Sequence, residues 1–165
     1  MAQITFKGKN IHTSGSLPEI GSKAPDFTLV ANDLTEVTLD MYKGKQVVLN
    51  IFPSIDTGVC AASVRQFNKL AADFDNTEVL CVSRDLPFAQ ARFCGAEGIE
   101  NVVTLSDFNT ADFGKNYGLL MEDGPLKGLH SRVVIVLNTD GNIVYTEQVP
   151  DIAQEPNYDE VLKVL

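Results

Sequence analysis

The sequence predicts an α/β fold in which a central mixed sheet, parallel at first and antiparallel at its end, is flanked by helices and preceded by a β-hairpin. Three observations carry that prediction. Short apolar runs alternate with helix-period segments through the middle of the chain, the last two runs are joined by a turn too short for a crossover, and an amphipathic segment closes the chain.

The elements follow in order. Ile4 to Thr13 alternate around Lys7-Gly8-Lys9-Asn10, as a small hairpin does, and "GSLPEIGSKAPDF" is a turn-rich passage leading to an extended Phe27-Thr28-Leu29-Val30. These first 40 residues are expected to decorate the main sheet. "QVVLNIF", Gln46 to Phe52, is apolar except at Asn50, which suits a strand covered on both faces. From Cys60 the apolar positions Val64, Phe67, Ala71 and Phe74 recur at helical spacing, with Arg65, Lys69 and Asp73 between them. "EVLCVS" is a second buried strand, "LPFAQARFCGAEG" a helix ended by glycines, and "NVVTLS" a third strand. After a short helical piece near Ala111 to Tyr117, "SRVVIVLNTDGNIVYTEQV" gives two strands joined at Asn138-Thr139-Asp140-Gly141, and "NYDEVLKVL" is a helix capped by Asn157.

That order of strands and helices is thioredoxin-like. Open sheets of this kind gather ligands at the carboxyl ends of their strands, where "FPSIDTGVC", Phe52 to Cys60, falls. With 165 residues and no linker, repeat or low-complexity tract, one domain spanning 1–165 is expected. Thirteen basic against 22 acidic residues give a net charge of −9, which disfavours nucleic acid and anionic membrane surfaces. The start "MAQITFKGKN" has no secretory pattern and no apolar run spans a bilayer, so a cytoplasmic, reducing setting is expected. There, Cys60, Cys81 and Cys94 form neither a disulfide framework nor a zinc-binding pattern.

A cysteine in the first turn of a helix meets unpaired backbone N–H groups and the positive end of the macrodipole, both of which favour thiolate over thiol. A helix end alone supplies about 1 kcal/mol, so a cation is needed as well. Arg132, opening the strand "SRVVIVL", is the candidate, because neighbouring strands bring their ends together. Thr57, three residues before Cys60, can bring a hydroxyl over the sulfur, and Pro53 can exclude water without adding a competing N–H.

"PSIDTGVC", Pro53 to Cys60, matches the P-x-x-x-T-x-x-C pattern of peroxiredoxins, and the longer "NIFPSIDTGVCAASVRQFN" resembles their thiol peroxidase branch. The similarity runs through "GSKAPDFTLV", "ARFCGAEGIENVVTLSDF" and "GLHSRVVIVLN" to the last helix, with no departure at the motif positions. The resemblance implies a thioredoxin fold, a homodimer, and reduction of hydrogen peroxide and organic hydroperoxides by a peroxidatic Cys60. It also implies Thr57 and Arg132 as activators, Cys94 as resolving cysteine in the same chain, thioredoxin as reductant, and no metal or organic cofactor.

Other readings of the residues set limits on this one. Cys81, inside "VLCV", is expected to be a core residue, while without the resemblance Cys94 is an ordinary helix-end residue. His12 and His130 lack metal-ligand spacing and are expected at the surface. Phe52, Phe88 and Phe93 are candidates for apolar walls of the site. A disulfide reductase needs a second cysteine where Thr57 stands, and a non-catalytic binding module predicts an unreactive Cys60.

Overall fold

The computed structural model describes all residues, Met1–Leu165. A hairpin of β1 (Gln3–Phe6) and β2 (Lys9–His12) stands apart from a seven-stranded sheet. Its turn residues Lys7 and Gly8 both have positive φ, 50° and 80°, as a two-residue hairpin turn requires. The sheet is built from β3 (Thr28–Ala31), β4 (Glu36–Thr38), β5 (Gln46–Ile51), β6 (Thr77–Ser83), β7 (Val103–Ser106), β8 (Val133–Leu137) and β9 (Ile143–Gln148). Their spatial order is β4-β3-β7-β6-β5-β8-β9.

β5, β6 and β7 run parallel, joined by the crossover helices α1 (Gly58–Ala71) and α2 (Pro87–Glu97), whereas β8 adds antiparallel to β5 and β9 antiparallel to β8. α3 (Asp112–Asn116) and α4 (Tyr158–Leu162) complete the set. Residue alternation along the buried strands divides the core in two. Val47, Leu49, Ile51, Leu80, Val82, Ile135 and Leu137 meet Phe27, Phe113 and Tyr117 on one face. On the other, Val48, Phe52, Val79, Cys81, Val134 and Val136 pack under α1, the buried part of α2 and α4, through Val64, Phe67, Cys94 and Val161. Strands covered on both faces need continuous apolar sequence, and β5, β6 and β8 have it.

Local signals fixed several ends as expected. Asn138 Oδ1 accepts from the N–H groups of Asp140 and Asn142 in the β8–β9 turn, and the Asn157 side chain accepts from Glu160 N at α4. Gly98, at φ 65°, closes α2 by donating to the Cys94 carbonyl.

Two expectations are corrected. The first 40 residues are more than decoration: β3 pairs with both β4 and β7, so it carries the sheet outward, and Phe27 and Leu29 enter the core. His130 is fully buried: its Nε2 lies 2.9 Å from the Asp107 carboxylate and its ring packs on Phe113. His12 is only half-buried and bonds Asp123 at 2.7 Å.

Candidate active site

The chain leaves β5 at Ile51, is tied to β6 by Phe52 N donating to the Val82 carbonyl at 3.1 Å, and then loops over the carboxyl edge of the sheet before α1. Asp85, just past β6, holds that loop. Its carboxylate accepts from Ser54 Oγ and Ile55 N, each at 2.7 Å, and from Ser83 Oγ at 2.6 Å. Sequence reasoning passed Asp85 over, although an acidic residue directly after a strand at the site edge was the available signal.

Cys60 is the third residue of α1, and its sulfur is fully buried. The N–H groups of Gly58, Val59 and Cys60 have no acceptor within the helix, as in any first turn. Arg132 precedes β8, the neighbour of β5, and its Nη2 donates to Cys60 Sγ at 3.2 Å while its Nε donates to the Ile152 carbonyl at 2.9 Å. Arg132 is 2% exposed, and Nη1 has no partner within the protein. No carboxylate lies within ion-pairing distance of it; the Cys60 sulfur is the neighbour able to carry a compensating negative charge.

A cavity of about 300 Å³ opens beside this pair, lined by Pro53, Thr57, Val59, Arg132 and Ile152, with Phe6 and Lys7 of the hairpin and Leu126 at its edge. The sequence-predicted Pro53, Thr57, Cys60 and Arg132 thus lie at one place. Two details differ from expectation. The Thr57 hydroxyl donates to the Ser54 carbonyl at 2.9 Å, so it braces the loop and makes no capping bond to α1. The apolar walls are also different residues: Phe52 is buried beneath the site, Phe88 is 65% exposed, and Phe93 packs on the helix layer.

Cys94 lies in the second half of α2, half-buried, with its sulfur 3.5 Å from Thr104 Oγ1 on β7. It is not part of the cavity. β7 and β8 are separated by β6 and β5, about 14 Å at ordinary strand spacing, so Cys60 and Cys94 lean on well-separated parts of the sheet. All three cysteines are free thiols. Cys81, in the middle of β6, is fully buried, and desolvation pushes its thiol from the ordinary 9.0 up to about 12. The core reading of Cys81 therefore holds. No group of three or more His, Cys, Asp or Glu side chains is placed to hold a metal, and no helix is long and apolar enough to cross a membrane.

Comparison with known proteins bears on this arrangement. Residues 19–162 match the family model described as Redoxin. Thiol peroxidases of Mycobacterium bovis (strain ATCC BAA-935 / AF2122/97) and Mycobacterium tuberculosis (strain CDC 1551 / Oshkosh) are each 56% identical over 165 residues, covering 100% of this chain and 99% of theirs. Among solved structures, a peroxiredoxin-like protein from Aquifex aeolicus superposes with a TM-score of 0.94 at 38% identity, covering 99% of this chain and 95% of its own. A thiol peroxidase from Chromobacterium violaceum, at 21% identity over 98% and 94% of the two chains, shares the fold with a TM-score of 0.91.

Proposed function

The chain belongs to the Redoxin family, in the thiol peroxidase branch of the peroxiredoxins, and from that premise we propose that Cys60 is its peroxidatic cysteine and Cys94 its resolving one. Peroxidase chemistry of the peroxiredoxin type follows from the family; the residues, substrates and reductant are the proposal. One observation carries it: a buried guanidinium without a carboxylate partner donates to a sulfur at the start of a helix, beside a cavity large enough for a small ligand.

The Cys60 thiolate attacks the terminal oxygen of a hydroperoxide, the S–O bond forms as the O–O bond breaks, the terminal OH stays on sulfur as sulfenic acid, and the departing alkoxide or hydroxide takes up the proton that Cys60 gave up on ionising, leaving as alcohol or water. Nη1 of Arg132 is a donor left over for the peroxide oxygens, which gain negative charge as the bond breaks. Pro53 lines the cavity beside the reacting sulfur, and Thr57 keeps the loop in place through Ser54. The sulfenic acid on Cys60 is then attacked by Cys94, giving the intrachain disulfide Cys60–Cys94 and water, and a thioredoxin dithiol reduces that disulfide.

Phe6, Val59, Leu126 and Ile152 favour organic hydroperoxides, alkyl or lipid, alongside hydrogen peroxide. Residues 1–165 act as one thioredoxin-fold domain that pairs as a homodimer and works in the reducing cytoplasm. Cys60→Ser tests the assignment. The variant is expected to keep its circular dichroism and melting temperature and lose turnover; activity above a few per cent of wild type would remove Cys60 as nucleophile.

A further inference from the structure

We propose that Thr104 and Asn32 hold Cys94 as a protonated thiol in the reduced fold, making Thr104 a positioning residue for the resolving step. The inference rests on the reading of Cys94 given above. Hydrogen-bond bookkeeping carries it. A carbonyl oxygen of an asparagine only accepts, and a threonine hydroxyl has a single proton to give. Thr104 Oγ1 lies 2.8 Å from Asn32 Oδ1, so that proton is committed to Asn32. Cys94 Sγ lies 3.5 Å from the same hydroxyl and meets its lone pairs, so in this contact the sulfur must be the donor.

The hydroxyl has little freedom to change sides. Thr104 is 3% exposed on β7 and stands in register with Cys81 on β6. A thiolate on Cys94 would face oxygen lone pairs with no proton to accept, unless Thr104 turned and left Asn32 Oδ1 without its donor. Reactive Cys94 therefore arises when its sulfur leaves Thr104, as the end of α2 opens. The attacking thiolate then forms the S–S bond to Cys60 as the S–O bond of the sulfenic acid breaks, and the departing hydroxide takes up the proton that Cys94 released, giving water.

Held as a thiol, Cys94 is a poor nucleophile toward alkylating reagents and stray oxidants until the segment moves. The measurement is the rate of iodoacetamide labelling at Cys94, read by peptide mass spectrometry in the Cys60→Ser background, where no peroxidase chemistry intervenes. Thr104→Val deletes the acceptor, and Asn32→Ala frees the Thr104 proton to donate to a Cys94 thiolate. Both are expected to speed labelling about fivefold, the factor that corresponds to the roughly 1 kcal/mol of a typical hydrogen bond. Thr104→Ser, which keeps the hydroxyl, should label as the parent does. Labelling of both accelerated variants within twofold of the parent, or equal acceleration by Thr104→Ser, would overturn the proposal. Asn32→Ala lies in a half-buried turn and keeps the test open where Thr104→Val fails to fold. In chains with Cys60 intact, the same substitutions should speed the disulfide-forming phase after one equivalent of peroxide. Accelerated labelling without any disulfide phase in the parent would leave the Thr104 inference standing and remove Cys94 as resolving cysteine.

Discussion

A guanidinium with 2% exposure and no carboxylate beside it is costly to bury, and Arg132 bears that cost next to Cys60. Arg132→Lys keeps the charge but loses the planar fork that reaches Cys60 with one nitrogen and Ile152 with another. Stopped-flow oxidation should therefore slow about tenfold in Arg132→Lys and about a hundredfold in Arg132→Gln, the range expected for hydrogen bonds to charged groups. Unchanged rates in both would take Arg132 out of the reaction. Cys81 predicts a pH effect. Its thiol ionises near 9.0 in an unfolded chain and near 12 when folded, so the stability it contributes is whole below pH 9 and is lost as pH rises toward 12. Tyr145, also raised to about 12 by burial and by Glu147, falls in the same direction. Cys81→Ala should retain peroxidase activity, lose about 1 to 2 kcal/mol at neutral pH, and reduce the alkaline slope by up to about 1.4 kcal/mol per pH unit in urea melts run across that window. An unchanged slope would mean that the thiol is not buried in solution. Cys60, Thr57 and Pro53 were legible in sequence because eight consecutive positions, Pro53 to Cys60, carry them. His130 was not, since it gains its meaning from Asp107, 23 residues away, which no local pattern names.

At the level of elements, α1 and α2 are fastened to each other along their exposed sides. Arg65 of α1 makes two bonds to Glu97 of α2 at 3.0 Å each, Arg92 of α2 reaches Asp56 before α1 at 3.1 Å, and Asn68 of α1 accepts from Asn101 N at 2.8 Å. Disulfide cysteines need Cα atoms within about 7 Å, so joining Cys60 to Cys94 requires helix ends to unwind against these contacts. The Cys94 carbonyl also accepts from Gly98 N and Ile99 N, and both bonds are at risk when the end of α2 opens. On the proposed roles, resolution is therefore a conformational step. Cys94→Ser should keep the fast first oxidation, stop thioredoxin-supported turnover, and leave a sulfenic acid that passes on to sulfinic acid, visible as a mass gain of two oxygens. Sustained wild-type turnover would contradict the resolving role. The crossover helices and the β8–β9 turn were legible because their signals are local: helical spacing from Val64 to Phe74, and Asn138 bonding its own turn. The place of β3 was not, because it meets β7 through only two residue pairs, Val30 with Ser106 and Ala31 with Leu105.

For the whole molecule, the sheet does two things at once. It brings the end of β5 beside the start of β8, which places Arg132 against Cys60, and it keeps β7, where Cys94 rests, two strands further away. On the proposed roles, activation of Cys60 belongs to the folded state and resolution by Cys94 to a partly opened one. The chain-entropy model gives a loop of about 34 residues roughly 3.8 kcal/mol of added stability on closure. Helix lost in closing subtracts from it, so the oxidised chain should melt at a temperature raised by less than that figure implies. A scan of reduced and oxidised forms reads the difference, and a gain as large as the full figure would argue against unwinding. The most direct test counts thiols. The reduced chain is given one equivalent of hydroperoxide, excess reagent is removed, and free thiols are titrated under denaturing conditions, with the disulfide located by peptide mapping. The predicted result is a fall from three thiols to one, the survivor being Cys81 and the bond joining Cys60 to Cys94; three thiols remaining, or a disulfide that leaves Cys60 free, would contradict it.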